Sequence, residues 1–113
     1  ASQAAQNKAS IKPLRAPMII VAIARTTQND KVPVIEQILS TGAAAQNMLI
    51  AAHALGVGAM WRTGSMAYHN LVKSGLGLSV GEEIVGFLYL GNTAGRIRPV
   101  PELDPDDFFS NWG

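Results

Sequence analysis

The sequence predicts an α+β fold, and three segments carry that prediction. Residues 18–24 and 82–90 form two largely apolar runs of strand length. Such near-continuous runs are typical of strands that are covered on both faces. Between them, a long Ala-rich stretch begins at Pro33 and carries apolar residues at the three-four spacing of an amphipathic helix. We expect the first run to be a central strand and the helix to be a buried core helix.

The predicted helix after Pro33 should bury one stripe of side chains. Gly56 is expected to close the helix as its C-cap. The alanines outside the stripe allow close packing of another helix, or they reflect helix propensity alone. The expected buried positions are Ile35, Ile38, Leu39, Gly42, Ala45, Met48, Leu49, Ala52 and Leu55.

The remaining segments give weaker signals. Residues 1–15 are polar, and they predict a short helix or an irregular lead-in. Residues 57–61 predict a short strand, and residues 67–74 predict a short helix. The segment after Gly91 has little regular pattern, and we expect it to wrap over a neighbouring chain. It contains three aromatic residues, Phe108, Phe109 and Trp112.

The composition indicates too little polar surface for an isolated domain of this size. Of the 113 residues, 48% are hydrophobic and 15% are charged, against about 25% charged residues in an ordinary soluble domain. Either an Ala- and Gly-rich core accounts for this, or large faces are buried against a second chain or an absent part of the same chain. The net charge of +1 is scattered along the chain, which argues against a nucleic-acid partner.

Several classes of site and location are disfavoured. The chain has no cysteine, so disulfides and thiolate metal sites are excluded, and His53 and His69 alone cannot form a zinc site. Residues 37–61 lack charged side chains and are long enough to span a bilayer, but their polar residues and glycines favour a buried helix followed by a strand. With no signal peptide visible in the first ten residues, we expect a cytoplasmic protein without a membrane span and without a metal.

No familiar spacing of nucleophile, acid or base occurs. Glu82 and Glu83 are adjacent, so in a strand they should point to opposite faces, and His53 among alanines is better explained as a structural histidine. Asp106 and Asp107 fit a solvated turn. We therefore name no catalytic residue, a pattern that fits an enzyme whose cofactor carries the chemistry.

Two motifs resemble the FMN-dependent nitroreductase family. The first is Leu-Gly-Val-Gly-Ala-Met-Trp-Arg-Thr-Gly, from Leu55 to Gly64, at the end of the Ala-rich helix; the second is Ile-Val-Gly-Phe-Leu-Tyr-Leu-Gly, from Ile84 to Gly91. Lys31-Val-Pro33 before the helix is similar as well. The resemblance is to the small subgroup of NAD(P)H nitroreductases with a Trp-Arg-Ser-Gly motif, and it extends over nearly the whole chain.

The resemblance implies a cofactor-binding segment at Trp61, Arg62, Thr63 and Gly64, where threonine keeps the hydroxyl of the subgroup's serine. Trp61 can pack against the flavin ring or wall its pocket, Arg62 can stabilise negative charge on reduced flavin, and Thr63 can form a hydrogen bond to a ring edge. A purely structural Trp-Arg pair is the alternative. Residues 51–56 match a stretch attributed to nicotinamide nucleotide binding.

The resemblance also suggests a role for two further basic residues, and it bears on how much of the domain the chain contains. Arg96 and Arg98 resemble residues that hold the FMN phosphate in other branches, although an exposed pair on a turn explains them equally well. The family's N-terminal helix, with its Arg/Ser cluster for FMN, is not found in these residues. We therefore expect residues 1–113 to be the C-terminal portion of a single nitroreductase-like domain whose N-terminal part is absent.

The resemblance also implies the architecture and the activity. The expected fold is a three-layer α-β-α sandwich with FMN at a homodimer interface, and the expected reaction is ping-pong. NAD(P)H would be the electron donor, and a nitroaromatic, a quinone or a similar small molecule the acceptor. The alternative is a non-enzymatic module that self-associates or holds flavin without turnover.

Overall fold

The computed structural model describes residues 2–113, except for the side chain of Pro13. Three helices and three strands form the framework, and short 3₁₀ turns connect some of them. In chain order the elements are α1 (Gln3–Ile11), a 3₁₀ turn (Lys12–Arg15), β1 (Met18–Arg25), α2 (Val34–Ala54), β2 (Gly58–Arg62), a 3₁₀ turn (Ser65–Tyr68), α3 (Asn70–Gly75), β3 (Glu82–Gly91) and a 3₁₀ turn (Pro105–Asp107).

The strands form one antiparallel sheet in the order β1-β3-β2. The strands expected at 18–24, 57–61 and 82–90 are thus confirmed, but the expectation that the first is central was wrong within residues 2–113. There, β3 is the central strand and β1 lies at an edge. An apolar run reports burial of the two faces of a strand, and it carries no information on which edges are paired.

A β-bulge in β3 decides which side chains share a face. Ala22 pairs with Gly86 and the next residue, Ile23, pairs with Ile84, so Val85 has no partner residue in β1. The extra residue shifts the alternation of side chains. As a result Ile84 and Phe87, three positions apart, both belong to the same buried cluster with Ala67.

The long helix α2 begins and ends as the sequence predicts. Gln37 ties its first turn to the preceding loop, because its side chain accepts from the Thr27 N–H and donates to the carbonyls of Thr27 and Val32, each at 2.9 Å. At the other end, the N–H groups of Gly56 and Val57 donate to the carbonyls of His53 and Ala52, the pair of bonds that defines a Schellman motif.

The stripe expected to be buried on α2 is buried only along its inner line. Ala45 and Ala52 are buried, and Ile38, Gly42 and Leu49 are half-buried. The expectation was wrong for the outer positions, which are exposed in the described chain: Ile35, Leu39, Met48 and Leu55. A face of three-four spacing covers a broad arc of the helix, and the three-stranded sheet covers only part of that arc.

The single short helix expected at 67–74 is divided into a 3₁₀ turn and α3. His69 between them is extended, with φ −84° and ψ 125°, and its Nδ1 accepts from the Leu71 N–H at 3.2 Å. A histidine that caps the next helix cannot continue the preceding one. The prediction was therefore right about helical content and wrong about continuity.

An ion pair joins α3 to the sheet. Lys73 Nζ lies 2.6 Å from Glu83 Oε2, and both side chains are partly shielded from water. Partly exposed pairs of this kind contribute about 0.5–1 kcal/mol. We expect Lys73→Met to lower the free energy of unfolding by roughly that amount in 50 mM salt, measured by urea denaturation.

The salt dependence of this substitution separates the ion pair from packing. In 1 M NaCl the Debye length falls to about 3 Å, which partly screens this incompletely buried pair, so the difference from wild type should shrink. Lys8→Met, on the exposed face of α1, is the control and should have little effect. An equal loss of stability in low and high salt would contradict an electrostatic contribution from Lys73.

Much apolar surface stays uncovered in the described chain. Its radius of gyration is 17.3 Å, against about 13 Å for a compact domain of this length. The segment after β3 is largely irregular and leaves its aromatic residues exposed: Phe108, Phe109 and Trp112. Among residues 2–113, no helix combines the length and apolar character needed to cross a membrane.

Candidate functional site

A largely apolar cavity of about 370 Å³ opens where β2 ends. The sheet provides one wall, with side chains from β1 and β3, and the segment from the 3₁₀ turn through α3 provides another. Polar and charged residues lie at its rim, an arrangement typical of small-molecule sites. The lining residues comprise an apolar set, Ile19, Val21, Met66, Val72, Leu76, Phe87 and Tyr89, and a rim set, Lys12, Arg62, Thr63, Gly64 and Ser65. We call this the Arg62 cavity.

Three of the four residues expected to bind a cofactor line this cavity. Arg62 is the last residue of β2, and Thr63 and Gly64 follow it directly. Arg62 Cζ lies 5.6 Å from the centroid of the Tyr89 ring, close enough for a cation-π contact that orients the guanidinium beside the cavity wall. Its N–H groups can still bind an anionic or carbonyl oxygen.

Gly64 gives the rim a backbone conformation that other residues avoid. Its φ is 69° and its ψ is −172°, a region that is essentially restricted to glycine. The chain thereby turns from β2 into the following 3₁₀ turn, where the Ala67 N–H donates to the Gly64 carbonyl. The turn places Thr63 and Ser65 at the same rim, so two hydroxyl groups flank Gly64.

Trp61 lies on the opposite side of the sheet. Successive side chains of a strand point to opposite faces, and the Trp61 ring packs toward α2, where its Cη2 lies 3.7 Å from an ideal Cβ position on Gly42. Its Nε1 donates to the Val85 carbonyl at 3.3 Å. Trp61 therefore does not line the Arg62 cavity, and a direct contact between Trp61 and a cofactor stays a prediction.

Lys12 is a rim residue that was not predicted from the sequence. It belongs to the 3₁₀ turn before β1, is half-buried and lines the Arg62 cavity. With Arg62 it gives the rim two positive charges, which favours a ligand that carries negative charge. Nothing in the local sequence indicated this role, because the contact depends on how residues 12–15 lead into β1.

The other sequence candidates lie away from this cavity. His53 and Gly56, from the stretch expected to bind nicotinamide nucleotide, line a second, more open cavity at the start of β2. Arg96 and Arg98 are exposed in the irregular segment after β3. Within residues 2–113, no group of three or more histidine and acidic side chains is placed to hold a metal ion.

The adjacent carboxylates of β3 have separate partners. Glu82 accepts from the Ser79 N–H at 3.0 Å and lies 3.8 Å from Arg25 Nε, whereas Glu83 pairs with Lys73. Neither residue lines the Arg62 cavity. The geometry thus offers a polar-rimmed binding site rather than a pair of carboxylates for acid-base chemistry.

Comparison with known proteins identifies the family. The model of the Nitroreductase family matches residues 1–92, which include the whole sheet and the rim of the Arg62 cavity. The chain belongs to the nitroreductase family. This nitroreductase chain is also 44% identical over 85 residues to the Escherichia coli K12 protein named "Putative NAD(P)H nitroreductase YdjA", and equally to its counterpart in Escherichia coli O157:H7.

The nitroreductase relatives are longer than this chain. The matched region covers 75% of the chain and 46% of either Escherichia coli protein, so the chain spans about half their length. A nitroreductase-like family protein from Bacillus cereus, known from a crystal structure, superposes with a TM-score of 0.79 at 23% identity. That match covers 97% of the chain and 60% of the Bacillus protein, and it confirms the predicted nitroreductase-like α+β fold.

Proposed function

We propose that this chain is part of an FMN-dependent oxidoreductase that transfers electrons from NAD(P)H to nitroaromatic, quinone or similar acceptors. The observation that carries the proposal is the placement of Arg62, Thr63 and Gly64 at the mouth of one apolar cavity. Family membership and the name of the Escherichia coli relatives support the same activity. We propose a cytoplasmic location with it, as expected from the sequence.

The residues of the Arg62 cavity fit a flavin in chemical character. The apolar walls, which include Phe87 and Tyr89, suit a flat aromatic ring. Arg62 and Lys12 supply positive charge at the rim, and the hydroxyl of Thr63 can donate or accept a hydrogen bond. When bound, FMN supplies the redox chemistry, accepting hydride from NAD(P)H and delivering electrons to the acceptor.

The chain's own residues would contribute binding and electrostatics. The positively charged Arg62 guanidinium can compensate negative charge on a ligand. Apolar walls around a bound ligand would lower the local dielectric constant, which strengthens such interactions. No described residue is required as a general acid or base, and we therefore assign none.

We propose that the protein acts as a homodimer. Exposed apolar side chains on α2 support this part of the proposal, with Ile35 62%, Leu39 64% and Ile50 58% exposed. A monomer rarely leaves so many large apolar residues of one helix in water. The aromatic residues after β3 would cover a neighbouring chain, as the sequence predicts.

Anaerobic mixing tests the proposed activity. Purified protein with FMN bound should lose its absorbance near 450 nm when NADH or NADPH is added, and a quinone should restore it. Initial rates with both substrates varied should give parallel double-reciprocal lines, the pattern of a ping-pong reaction. If neither nicotinamide nucleotide reduces the bound FMN, the proposed oxidoreductase activity is contradicted. The alternative of a module that holds flavin without turnover then remains.

A non-enzymatic self-associating module is the second candidate. The exposed apolar residues of α2 favour it independently of any cofactor. This module would form a stable, colourless dimer that takes up no flavin. Sedimentation velocity of the same sample with and without FMN therefore complements the reduction experiment.

A further inference from the structure

The indole of Trp61 fits between two glycines, one on the helix and one on the sheet. On the α2 side, an ideal Cβ on Gly42 would lie 3.7 Å from Trp61 Cη2, which is an ordinary contact. On the sheet side, a Cβ on Gly86 would lie 2.7 Å from Cδ1 and 2.8 Å from Cε2, and it would collide with Nε1. The ring therefore occupies the space that any side chain at position 86 would need.

The β-bulge supplies the third contact of the ring. Val85 has no partner residue in β1 because of the bulge, and its carbonyl accepts the hydrogen bond from Trp61 Nε1 at 3.3 Å. Bulges redirect neighbouring groups and often occur beside functional sites. Here the bulge, Gly86 and the indole together fix the end of β2 against β3.

The fixed end of β2 leads directly into the rim of the Arg62 cavity. Trp61 pairs with Leu88, and Arg62 pairs with Phe87, one of the cavity-lining residues. Trp61 precedes Arg62 and Thr63, so a displaced indole would shift the backbone of both. We propose that Gly86 is a positioning residue: by leaving room for the Trp61 ring, it sets the orientation of Arg62 and Thr63 toward a bound flavin. This proposal rests on the proposed function of the cavity.

The decisive experiment measures the FMN dissociation constant of Gly86→Ala by quenching of flavin fluorescence. We expect FMN binding to be at least tenfold weaker than in wild type, because the new Cβ displaces the indole and with it the backbone of Arg62 and Thr63. Gly42→Ala is the matched control, since its Cβ meets the same ring at an ordinary distance. It should change the dissociation constant less than threefold.

A double-mutant cycle separates positioning from general destabilisation. Phenylalanine lacks Nε1 and has a smaller ring system, so in a Trp61→Phe background the Gly86→Ala change should weaken FMN binding less than threefold. An equal loss in both backgrounds would overturn the proposal. If Gly86→Ala alone does not fold, the double variant decides: recovered folding and FMN binding support the proposal, and failure of both overturns it.

The indole itself gives a readout that is independent of activity. Trp112 is fully exposed and is the second of the two tryptophans of residues 1–113, so a Trp112→Phe background leaves Trp61 as the sole tryptophan within these residues. In the FMN-free protein, Gly86→Ala should shift the emission of Trp61 to longer wavelength and Gly42→Ala should not. Absence of FMN binding by wild type would refute the proposed function, whereas normal binding by folded Gly86→Ala would refute the positioning role alone.

Discussion

Arg62→Ala is expected to weaken FMN binding by about 10- to 100-fold, which corresponds to the roughly 1.5–3 kcal/mol of a hydrogen bond to a charged group. Arg62 is the cation of the cavity rim that lies beside an aromatic wall, 5.6 Å from the Tyr89 ring centroid. Its removal deletes both the charge and the guanidinium N–H groups. The dissociation constant from fluorescence quenching is the direct measurement, and the rate of flavin reduction by NADH should fall as well.

Two further variants define what Arg62 contributes. Arg62→Lys keeps the charge but loses the planar fork of N–H groups, so its dissociation constant should lie between those of wild type and Arg62→Ala. Arg25→Ala is the matched control, because Arg25 is largely exposed and does not line the cavity. Unchanged binding and reduction in Arg62→Ala would rule out the role that we assign to this side chain.

Leu88→Ala is expected to destabilise the protein by about 2–5 kcal/mol, the usual cost of removing a buried leucine side chain. Leu88 is 1% exposed and is the largest fully buried side chain among residues 2–113. It lies in β3 opposite Trp61, on the face that α2 covers. In a small core, this loss is a large part of the total free energy of unfolding.

Urea denaturation measures the effect of Leu88→Ala. Leu14→Ala, at a side chain that is 79% exposed, is the control and should change the midpoint little. If Leu88→Ala unfolded at the same urea concentration as wild type, this result would contradict the burial of Leu88 between α2 and β3.

The sequence was sufficient for the strands and α2, but not for the division of the helix expected at 67–74 or for the arrangement of the elements. The apolar runs and the helical spacing predicted all three strands and α2 within about two residues, because these patterns follow from local periodicity. The order β1-β3-β2 and the bulge at Val85 depend on pairing between distant segments. A single sequence does not encode that pairing in any local pattern.

The candidate site was predicted in part for the same reason. Arg62, Thr63 and Gly64 were found through a motif, and the structure brings them to one cavity. The alternation of side chains along a strand already implies that Trp61 and Arg62 point to opposite faces. That pattern could have predicted that only one of the two side chains faces the cavity. Lys12 could not have been found, since no local pattern connects it with a rim about 50 residues away in the chain.

The most direct test of a flavin site in the Arg62 cavity combines an intact mass with an absorbance spectrum of the purified protein, taken before and after excess FMN is added and removed. We expect flavin bands that persist after desalting, near one FMN per chain, and the mass shows how much polypeptide surrounds residues 1–113. A folded protein of known mass that retains no FMN would contradict the claim that the Arg62 cavity is a flavin site.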